Sequence, residues 1–261
     1  MTTVAEILSF IESIAPTHMA ESWDNVGLLC GRKEKEVRKI LVALDPFRNV
    51  IEAAIEENAD LIVTHHPLIF RDPLMAVNED TEAGRCVLTL IENGIAAINA
   101  HTNLDMAPGG VNDVLAQALG LENIRIITPV PGEVPYGLLR MGTVEEQPLE
   151  QFLSTVKTSL KCDGLRYVPG CPTVRMVAVG GGSCADGMFE AKAAGCDTLV
   201  TSDAKYNQFR TAFELGLNLI DAGHFHTENP VVAVLAEKLR AAFPEVEVKI
   251  CESHWDCMKY Y

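Results

Sequence analysis

One segment of this chain occurs twice, and this duplication constrains the fold more than any other feature of the sequence. Residues 38–64 align without a gap with residues 175–201, and each copy contains a short β-rich run, a turn, an amphipathic stretch and a second apolar run. This order is typical of a strand–helix–strand unit. Identical residues at aligned positions include Arg38 and Arg175, Val42 and Val179, Asp60 and Asp197, and Thr64 and Thr201.

A second pair of segments extends the duplication. GIAAINAH at 94–101 resembles GLNLIDAGH at 216–224, and in each copy an acid follows four residues after the histidine, before an apolar helical pattern. Each copy also opens with a helical pattern, VAEILSFI at 4–11 and LEQFLSTV at 149–156. Any two strand–helix–strand units look somewhat alike, but two matches in the same order favour duplication.

We therefore predict an α/β fold of two similar repeats, each a four-stranded mixed sheet flanked by helices. The repeats are expected at 1–124 and 148–261, joined by a connection at 125–147 that contains the Pro- and Gly-rich run VPGEVPYG. Strands that alternate with helices are expected to be parallel, with right-handed crossovers. The run NVGLLCG at 25–31 can pair antiparallel, and EVEVKIC at 245–251 is expected to add a last strand.

Composition narrows the classes of function. The net charge of the 261 residues is -15, which argues against nucleic-acid binding because such binding depends on Lys and Arg side chains. It is compatible with small-molecule or cation partners. No apolar run approaches the roughly 20 residues of a membrane span, and the acidic N-terminal helix is unlike a signal peptide. The eight cysteines form no CxxC pair, so a reduced, cytoplasmic location is expected.

Histidines mark the candidate site. Five of the seven histidines fall in three places, each of which follows an apolar strand pattern, and strand ends are where ligands bind in α/β folds. His65 and His66 are adjacent, whereas His101 and His224 each precede an acid by four residues, Asp105 and Glu228 respectively.

This set of side chains is typical of a metal site. Neutral imidazole and carboxylate are ligands of zinc, manganese and non-haem iron. The set is too large for one tetrahedral ion with an open position, but it can hold two ions if a carboxylate bridges them. His65 and His66 can reach one cleft only if the strand ends at Thr64, because neighbouring residues of a strand point to opposite faces. The alternative is that each histidine has a structural role, and we assign that role to His226 and His254. His18 follows the first helix and is expected at the surface.

Two interpretations of the second histidine–acid pair remain open. In a helix, His224 and Glu228 would share a face. We favour a loop after the strand, with Glu228 near the N-terminus of a helix that begins at Asn229 and Pro230, where a negative charge is favourable.

Other polar positions are more ambiguous. The run from Gly180 to Ser183 can cradle a phosphate, but it lacks the Lys-Ser/Thr of a P-loop, and a tight turn is favoured. Ser202 and Asp203 take the positions of His65 and His66 in the second copy. Asp203 and Lys205 either line the cleft or are solvated loop charges. Asp24 either caps a helix or points at the site.

The chain resembles the GTP cyclohydrolase I type 2 homologue family, also called NIF-three-like, over nearly its whole length. The resemblance rests on several long motifs in the order of the family. They are SWDNVGLLCG at 22–31, VALDP at 42–46, ADLIVTHHPLIF at 59–70, HTNLD at 101–105, GGVND at 109–113, VGGGS at 179–183, TSDAKY at 201–206 and LIDAGHFHTE at 219–228.

The resemblance implies intertwined repeats, a dinuclear metal centre and a ring-shaped homo-oligomer, commonly a hexamer, in the short form without an inserted domain. The ligand positions of the family correspond to His65, His66, Asp105, His224 and Glu228. His101 is left as a contact to substrate or to a ligand, with a catalytic role. The chain departs from the family at Asn207, where many relatives have a histidine, and in its tail, ESHWDCMKYY.

The expected function is that of a metal-dependent hydrolase. Two divalent ions per chain, of zinc, iron or manganese, would act on a small polar substrate that is phosphorylated or heterocyclic. The sequence does not contain a basic cluster adequate for a nucleoside triphosphate, so the cyclohydrolase label is not tested by it. The alternative is a non-catalytic protein that holds or delivers metal, or a ring-shaped scaffold.

Overall fold

The computed structural model describes residues 1–70, 76–132 and 135–261, and these divide into two compact units. The first unit contains Met1–Leu104 and Val232–Trp255, and the second contains Asp105–Val231 and Asp256–Tyr261. The boundaries of the repeats at 1–124, 125–147 and 148–261 concern the duplicated sequence and stay a prediction.

The helices and strands follow the order expected from the duplication. The strands are β1 (Gly27–Cys30), β2 (Lys39–Ala43), β3 (Leu61–Thr64), β4 (Ala96–Asn99), β5 (Glu122–Ile126), β6 (Arg140–Pro148), β7 (Arg166–Val168), β8 (Thr173–Val179), β9 (Thr198–Thr201), β10 (Asn218–Asp221) and β11 (Glu247–Ile250). The helices are α1 (Val4–Ile14), α2 (Arg48–Glu56), α3 (Glu82–Glu92), α4 (Thr102–Met106), α5 (Val111–Ala118), α6 (Leu149–Ser159), α7 (Met188–Ala193), α8 (Tyr206–Glu214), α9 (His224–Glu228) and α10 (Pro230–Ala242).

The first unit is built on a five-stranded mixed sheet in the order β1-β4-β3-β2-β11. Strands β4, β3, β2 and β11 are parallel, and β1 is antiparallel to β4. Every residue of β3 and β4 is buried, as expected for continuous apolar runs at the centre of a covered parallel sheet. Helices α2 and α3 cover one face, where Val50, Ile51 and Leu90 pack against Leu41 and Ile62.

The second unit is built on a six-stranded mixed sheet in the order β5-β6-β8-β9-β10-β7. Strands β8, β9 and β10 are parallel, whereas β5, β6 and β7 pair antiparallel with their neighbours. Helix α6 contributes Phe152 and Val156 to a core with Val177, Val200 and Ile220 of the three parallel strands.

The two sheets confirm the predicted pair of four-stranded mixed repeats. The order β1-β4-β3-β2 in one unit corresponds to β7-β10-β9-β8 in the other, with one antiparallel edge strand beside three parallel strands in each. The first sheet is extended by β11, which confirms the last strand expected from EVEVKIC, and the second by β5 and β6. Residues 133 and 134 of the predicted turn VPGEVPYG lie outside the described residues, but Val130 N donates to Tyr136 O across it (2.8 Å).

The polar residues predicted to form the site follow the carboxyl ends of parallel strands within each unit. His65 follows β3 and His101 follows β4, whereas Asp203 follows β9 and His224 follows β10. This is the edge at which parallel α/β sheets bind ligands. Among the helices of residues 1–70, 76–132 and 135–261, none is long and apolar enough to cross a membrane.

Candidate metal centre

The first unit brings three histidines together at the ends of β3 and β4. Strand β3 ends at Thr64, whose hydroxyl donates to His66 O (2.7 Å), and the chain turns there. The ligand nitrogens of His65, His66 and His101 all lie within 4.8 Å of one another. Strand β3 therefore ends at Thr64, which is the condition under which both adjacent histidines can reach one cleft.

Each of these three imidazoles is held through its Nδ1 atom. The Nδ1 atoms bond to Ala100 O from His65 (2.8 Å), to Asp45 Oδ1 from His66 (2.5 Å) and to Asp24 Oδ1 from His101 (2.8 Å). Because the three partners are acceptors, they select the tautomer with hydrogen on Nδ1. In this tautomer Nε2 is the ring nitrogen that can bind a metal. Metal-ligating histidines are commonly fixed in this way.

Asp24 orients His101 and also caps the N-terminus of α4, the helix that follows His101. Its Oδ2 accepts hydrogen bonds from Thr102 N (3.1 Å) and Thr102 Oγ1 (2.5 Å) at the start of α4. Burial would raise the pKa of Asp24, but the bonds from His101 and Thr102 outweigh it and hold this pKa well below its usual range. Asp24 therefore does both things that the sequence left as alternatives. It caps a helix, and it contacts a candidate residue of the site.

Asp45 is a part of this cluster that sequence reasoning missed. Its two carboxylate oxygens accept from His66 Nδ1 (2.5 Å) and from His254 Nε2 (2.8 Å). Burial would raise the pKa of Asp45, yet the bonds from His254 and His66 hold it well below its usual range. The sequence did contain a signal for Asp45. It is an acid two residues beyond the end of β2, and the candidate histidines likewise follow the ends of β3 and β4.

The second unit supplies a histidine and two carboxylates. His224 and Glu228 lie one turn apart in the short helix α9, where His224 Nε2 is 3.0 Å from Glu228 Oε2. The favoured prediction of a loop was wrong. Gly223, with φ of 82°, allows a helical turn to start directly after β10, and Pro230 begins a separate helix without preventing that turn.

Asp203 orients His224 as Asp45 orients His66. His224 Nδ1 is bonded to Asp203 Oδ2 (2.7 Å), and its Nε2 faces Glu228 Oε2. Asp203 has φ of 52°, an uncommon conformation for a residue other than glycine. Lys205, the other predicted partner, is exposed and is the N-cap residue of α8, where its backbone N–H donates to Gln208 Oε1 (2.7 Å). This placement matches a loop charge, and a role for Lys205 in the site stays a prediction.

Asp105 and Glu228 form a close, buried pair of carboxylates. They are 8% and 4% exposed, and their ligand oxygens lie within 4.8 Å of each other. Two buried carboxylates at this distance repel each other unless a cation or a proton compensates. Carboxylate oxygens of this kind are ligands that suit a divalent ion such as zinc, manganese or iron.

The glycine-rich loop after β8 lies directly against Glu228 and His224. Gly182 has φ of 62°, and a Cβ atom built on it would collide with Glu228 Oε1 and lie 3.2 Å from His224 Nε2. Its N–H donates to Thr227 Oγ1 (3.1 Å), and the N–H of Gly181 donates to Asn112 Oδ1 (2.7 Å). Because these N–H groups donate to protein acceptors, the loop is better described as a tight turn than as a phosphate-binding cradle.

Cys184 is a buried cysteine whose thiol is influenced by the charges of the two carboxylates. Burial raises the pKa of Cys184 to about 12, and the negative charges of Asp105 and Glu228 act in the same direction.

His226 and His254, which the sequence left with structural roles, differ in the structure. His226 Nδ1 contacts Leu160 O (3.1 Å) and its Nε2 lies 3.3 Å from Asp256 Oδ2, a structural arrangement within the second unit. His254 instead bonds to the carboxylate that holds His66.

Comparison with known proteins gives a consistent family. A protein-family model described as Duf34/NIF3 (NGG1p interacting factor 3) matches residues 2–256. A GTP cyclohydrolase 1 type 2 homolog of Clostridium perfringens is 38% identical over 237 residues, which cover 90% of this chain and 90% of that protein. One of Streptomyces coelicolor is 39% identical over 240 residues, covering 88% and 83% respectively. A Bacillus cereus protein related to NIF3 has a similar crystal structure, with a TM-score of 0.92, 28% identity and coverage of 100% of this chain and 99% of that one.

Proposed function

The chain belongs to the Duf34/NIF3 family, and we propose that it binds two divalent metal ions per chain through His65, His66, Asp105, His224 and Glu228. The observation that carries this proposal is the orientation of the imidazoles. Each proposed histidine ligand is bonded through Nδ1 to a protein acceptor, so Nε2 is the atom that would bind a metal. The metal is zinc, iron or manganese, and Glu228 or Asp105 bridges the two ions.

The activity that we propose is hydrolysis of a small polar substrate, phosphorylated or heterocyclic. Two ions held close together would lower the pKa of water in the site towards about 7. The protein residues position the reactants: Asp24 keeps the hydrogen of His101 on Nδ1, so Nε2 can accept a proton or contact the substrate. His101 is thus the candidate catalytic residue. Asp203 holds His224, and we propose Lys205 as a further contact in the site.

The partners that we propose follow from the family and the charge. The chain is proposed to form a ring-shaped homo-oligomer, a hexamer, in the cytoplasm, without a membrane or nucleic acid as its main partner. A net charge of -15 disfavours binding to phosphate backbones.

Metal content is the first test. Protein purified without chelators or nickel affinity resin is expected to contain close to two ions per chain by elemental analysis. The double variant His65→Ala/His66→Ala is expected to lose most of this metal, because two of the five proposed ligands are removed. The control is His18→Ala, which changes an exposed histidine and should retain the wild-type content. If neither wild type nor control binds metal after incubation with zinc, manganese or iron, the metal-binding proposal fails.

The bridging role gives a second prediction. Glu228→Gln is expected to weaken the binding of both ions by about 10-fold or more, because it removes a charged ligand that both ions share. His101→Ala is expected to retain both ions and to change turnover alone. Titration of each variant with zinc against a chromophoric chelator measures this. Loss of a single ion in Glu228→Gln would exclude the bridge for this carboxylate.

Turnover separates the hydrolase from its alternative, a protein that holds or delivers metal or acts as a scaffold. The metal-loaded protein is assayed on phosphomonoesters, phosphodiesters and nucleotides, with His101→Ala as the comparison. Hydrolysis that is lost in His101→Ala supports the enzyme. Ions that exchange within minutes with no turnover of any of these substrates support metal delivery.

A further inference from the structure

The segment after β11 places a second histidine on the carboxylate that holds His66. His254 is 5% exposed at its side chain, and its Nε2 lies 2.8 Å from Asp45 Oδ2. The other oxygen of the same carboxylate accepts from His66 Nδ1 (2.5 Å). Each oxygen of Asp45 therefore has its own imidazole, and all three residues belong to the first unit.

The segment that carries His254 is held by two hydrogen bonds to its backbone. Their partners lie before and after Asp45 in the sequence. Cys251 N donates to Val42 O (2.9 Å) at the end of β2, and Asn49 Nδ2 donates to Ser253 O (2.6 Å) from the first turn of α2. Asp45 lies in the loop between β2 and α2. The segment is thus tied to both elements that carry this loop.

We propose that His254 is a positioning residue for His66, which fixes the orientation of the Asp45 carboxylate and, through it, the imidazole. A carboxylate that accepts from one donor has considerable freedom to rotate about its Cβ–Cγ bond while it keeps that hydrogen bond. A carboxylate that accepts at both oxygens has much less freedom, because rotation would break one of the two hydrogen bonds. Fixing Asp45 selects the Nδ1–H tautomer of His66 and aims its Nε2 atom. The proposal rests on the proposed function in that His66 is taken as a metal ligand.

Sequence reasoning gave this residue a structural role because it is part of no pattern comparable to those of the candidate ligands. ESHWDCMKYY was identified as a difference with no assigned role. The geometry gives part of that tail a link to the site, since partners of metal-ligating histidines tune both the orientation and the basicity of the ligand.

The first experiment reads the tautomer of His66 in metal-free protein. Nitrogen chemical shifts of the imidazole, measured by NMR on ¹⁵N-histidine-labelled protein, are expected to show mainly the Nδ1–H form in wild type. In His254→Ala a mixture of both tautomers is expected. His254→Gln places an amide N–H near Asp45 and is expected to restore part of the wild-type distribution, which separates the loss of a donor from a loss of folding.

The second experiment measures metal release into a chelator. His254→Ala is expected to release metal roughly 3- to 10-fold faster than wild type, and Asp45→Asn roughly 10- to 100-fold faster, as is typical for a direct partner of a ligating histidine. Because His254 acts through Asp45, adding His254→Ala to Asp45→Asn should change the rate by less than about 2-fold. The control is His18→Ala, which changes an exposed histidine of the same unit. It is expected to leave both the His66 tautomer and metal release unchanged.

The two experiments distinguish failure of this proposal from failure of the proposed function. An unchanged His66 tautomer in folded His254→Ala protein would overturn the positioning role, whatever the metal content. A shifted tautomer in a protein that binds no metal would support the positioning role and reject His66 as a ligand. Equal effects of His254→Ala in the wild-type and Asp45→Asn proteins would also overturn the proposal, because the action would then bypass Asp45.

Discussion

Replacing Gly182 by alanine is expected to remove most metal binding while leaving the fold intact. A Cβ atom at this position would collide with Glu228 Oε1 and lie 3.2 Å from His224 Nε2. Both side chains would have to move, and each is a proposed ligand. Because misplacing a ligand weakens metal binding at least as much as losing one of its partners, we expect a loss of about 10-fold or more in affinity. The measurement is zinc or manganese titration against a chelator.

The backbone strain of the same substitution needs its own control. Gly182 has φ of 62°, where a residue with a side chain loses roughly 1 kcal/mol relative to glycine. Gly216 has the same φ of 62°, but the nearest atom to a Cβ there is Gly170 O at 3.7 Å, an ordinary contact. Gly216→Ala should therefore show a similar loss of stability and normal metal binding. Equal metal binding by the two variants would contradict the role of the glycine as a space for the ligands.

The fold was predictable in its main features because the duplication carries them. Two copies of one strand–helix–strand pattern specify the same order of parallel strands in each sheet, and NVGLLCG was expected to pair antiparallel, as β1 does with β4. The pairing of β5 with β6, and of β6 with β8, was not predicted. These strands lie around the expected connection, whose Pro and Gly residues had been interpreted only as linker and turn.

The candidate side chains were predictable where the chemistry is local in sequence. His65, His66 and the two histidine–acid pairs stand out because imidazole is scarce and each group follows a strand pattern. The partners that orient them were not predictable in the same way. Asp24 and Asp45 reach His101 and His66 across long sequence separations, and hydrogen-bond partners of this kind depend on packing that no spacing rule describes. The choice between loop and helix at His224 failed for a related reason, since a single helical turn leaves too few residues for a periodic signal.

Arg140 is a further residue that the sequence did not identify, and it is expected to contribute strongly to stability. Its side chain is 1% exposed in the second unit, where Nε donates to Asp113 Oδ1 (2.6 Å). Nη2 also donates to the carbonyl oxygens of Met106 (3.3 Å) and Ala107 (3.2 Å), and Nη1 donates to Gly137 O. One guanidinium therefore joins β6 to α5 and to the residues that directly follow Asp105.

Arg140→Met is expected to lower the free energy of unfolding by about 3 kcal/mol, because it leaves a largely buried carboxylate and several carbonyl groups without their donor. Denaturation of the metal-free protein by urea measures the change, and amide exchange in α5 and β6 assigns it to the second unit. The matched control is Arg48→Met, whose side chain is 76% exposed and pairs with Glu52; its loss should be about 0.5 kcal/mol or less.

The same variant separates stability from the site. Because Met106 O loses a hydrogen bond, the adjacent Asp105 is less firmly held, and metal affinity should fall in Arg140→Met even under conditions where the protein is fully folded. The double variant Arg140→Met/Asp113→Leu removes both charges and is expected to recover part of the stability, since an apolar pair leaves no uncompensated buried carboxylate. It would not restore the contacts to Met106 and Ala107, so its metal affinity should stay low. Recovery of metal affinity together with stability would mean that Arg140 influences Asp105 only through the fold as a whole.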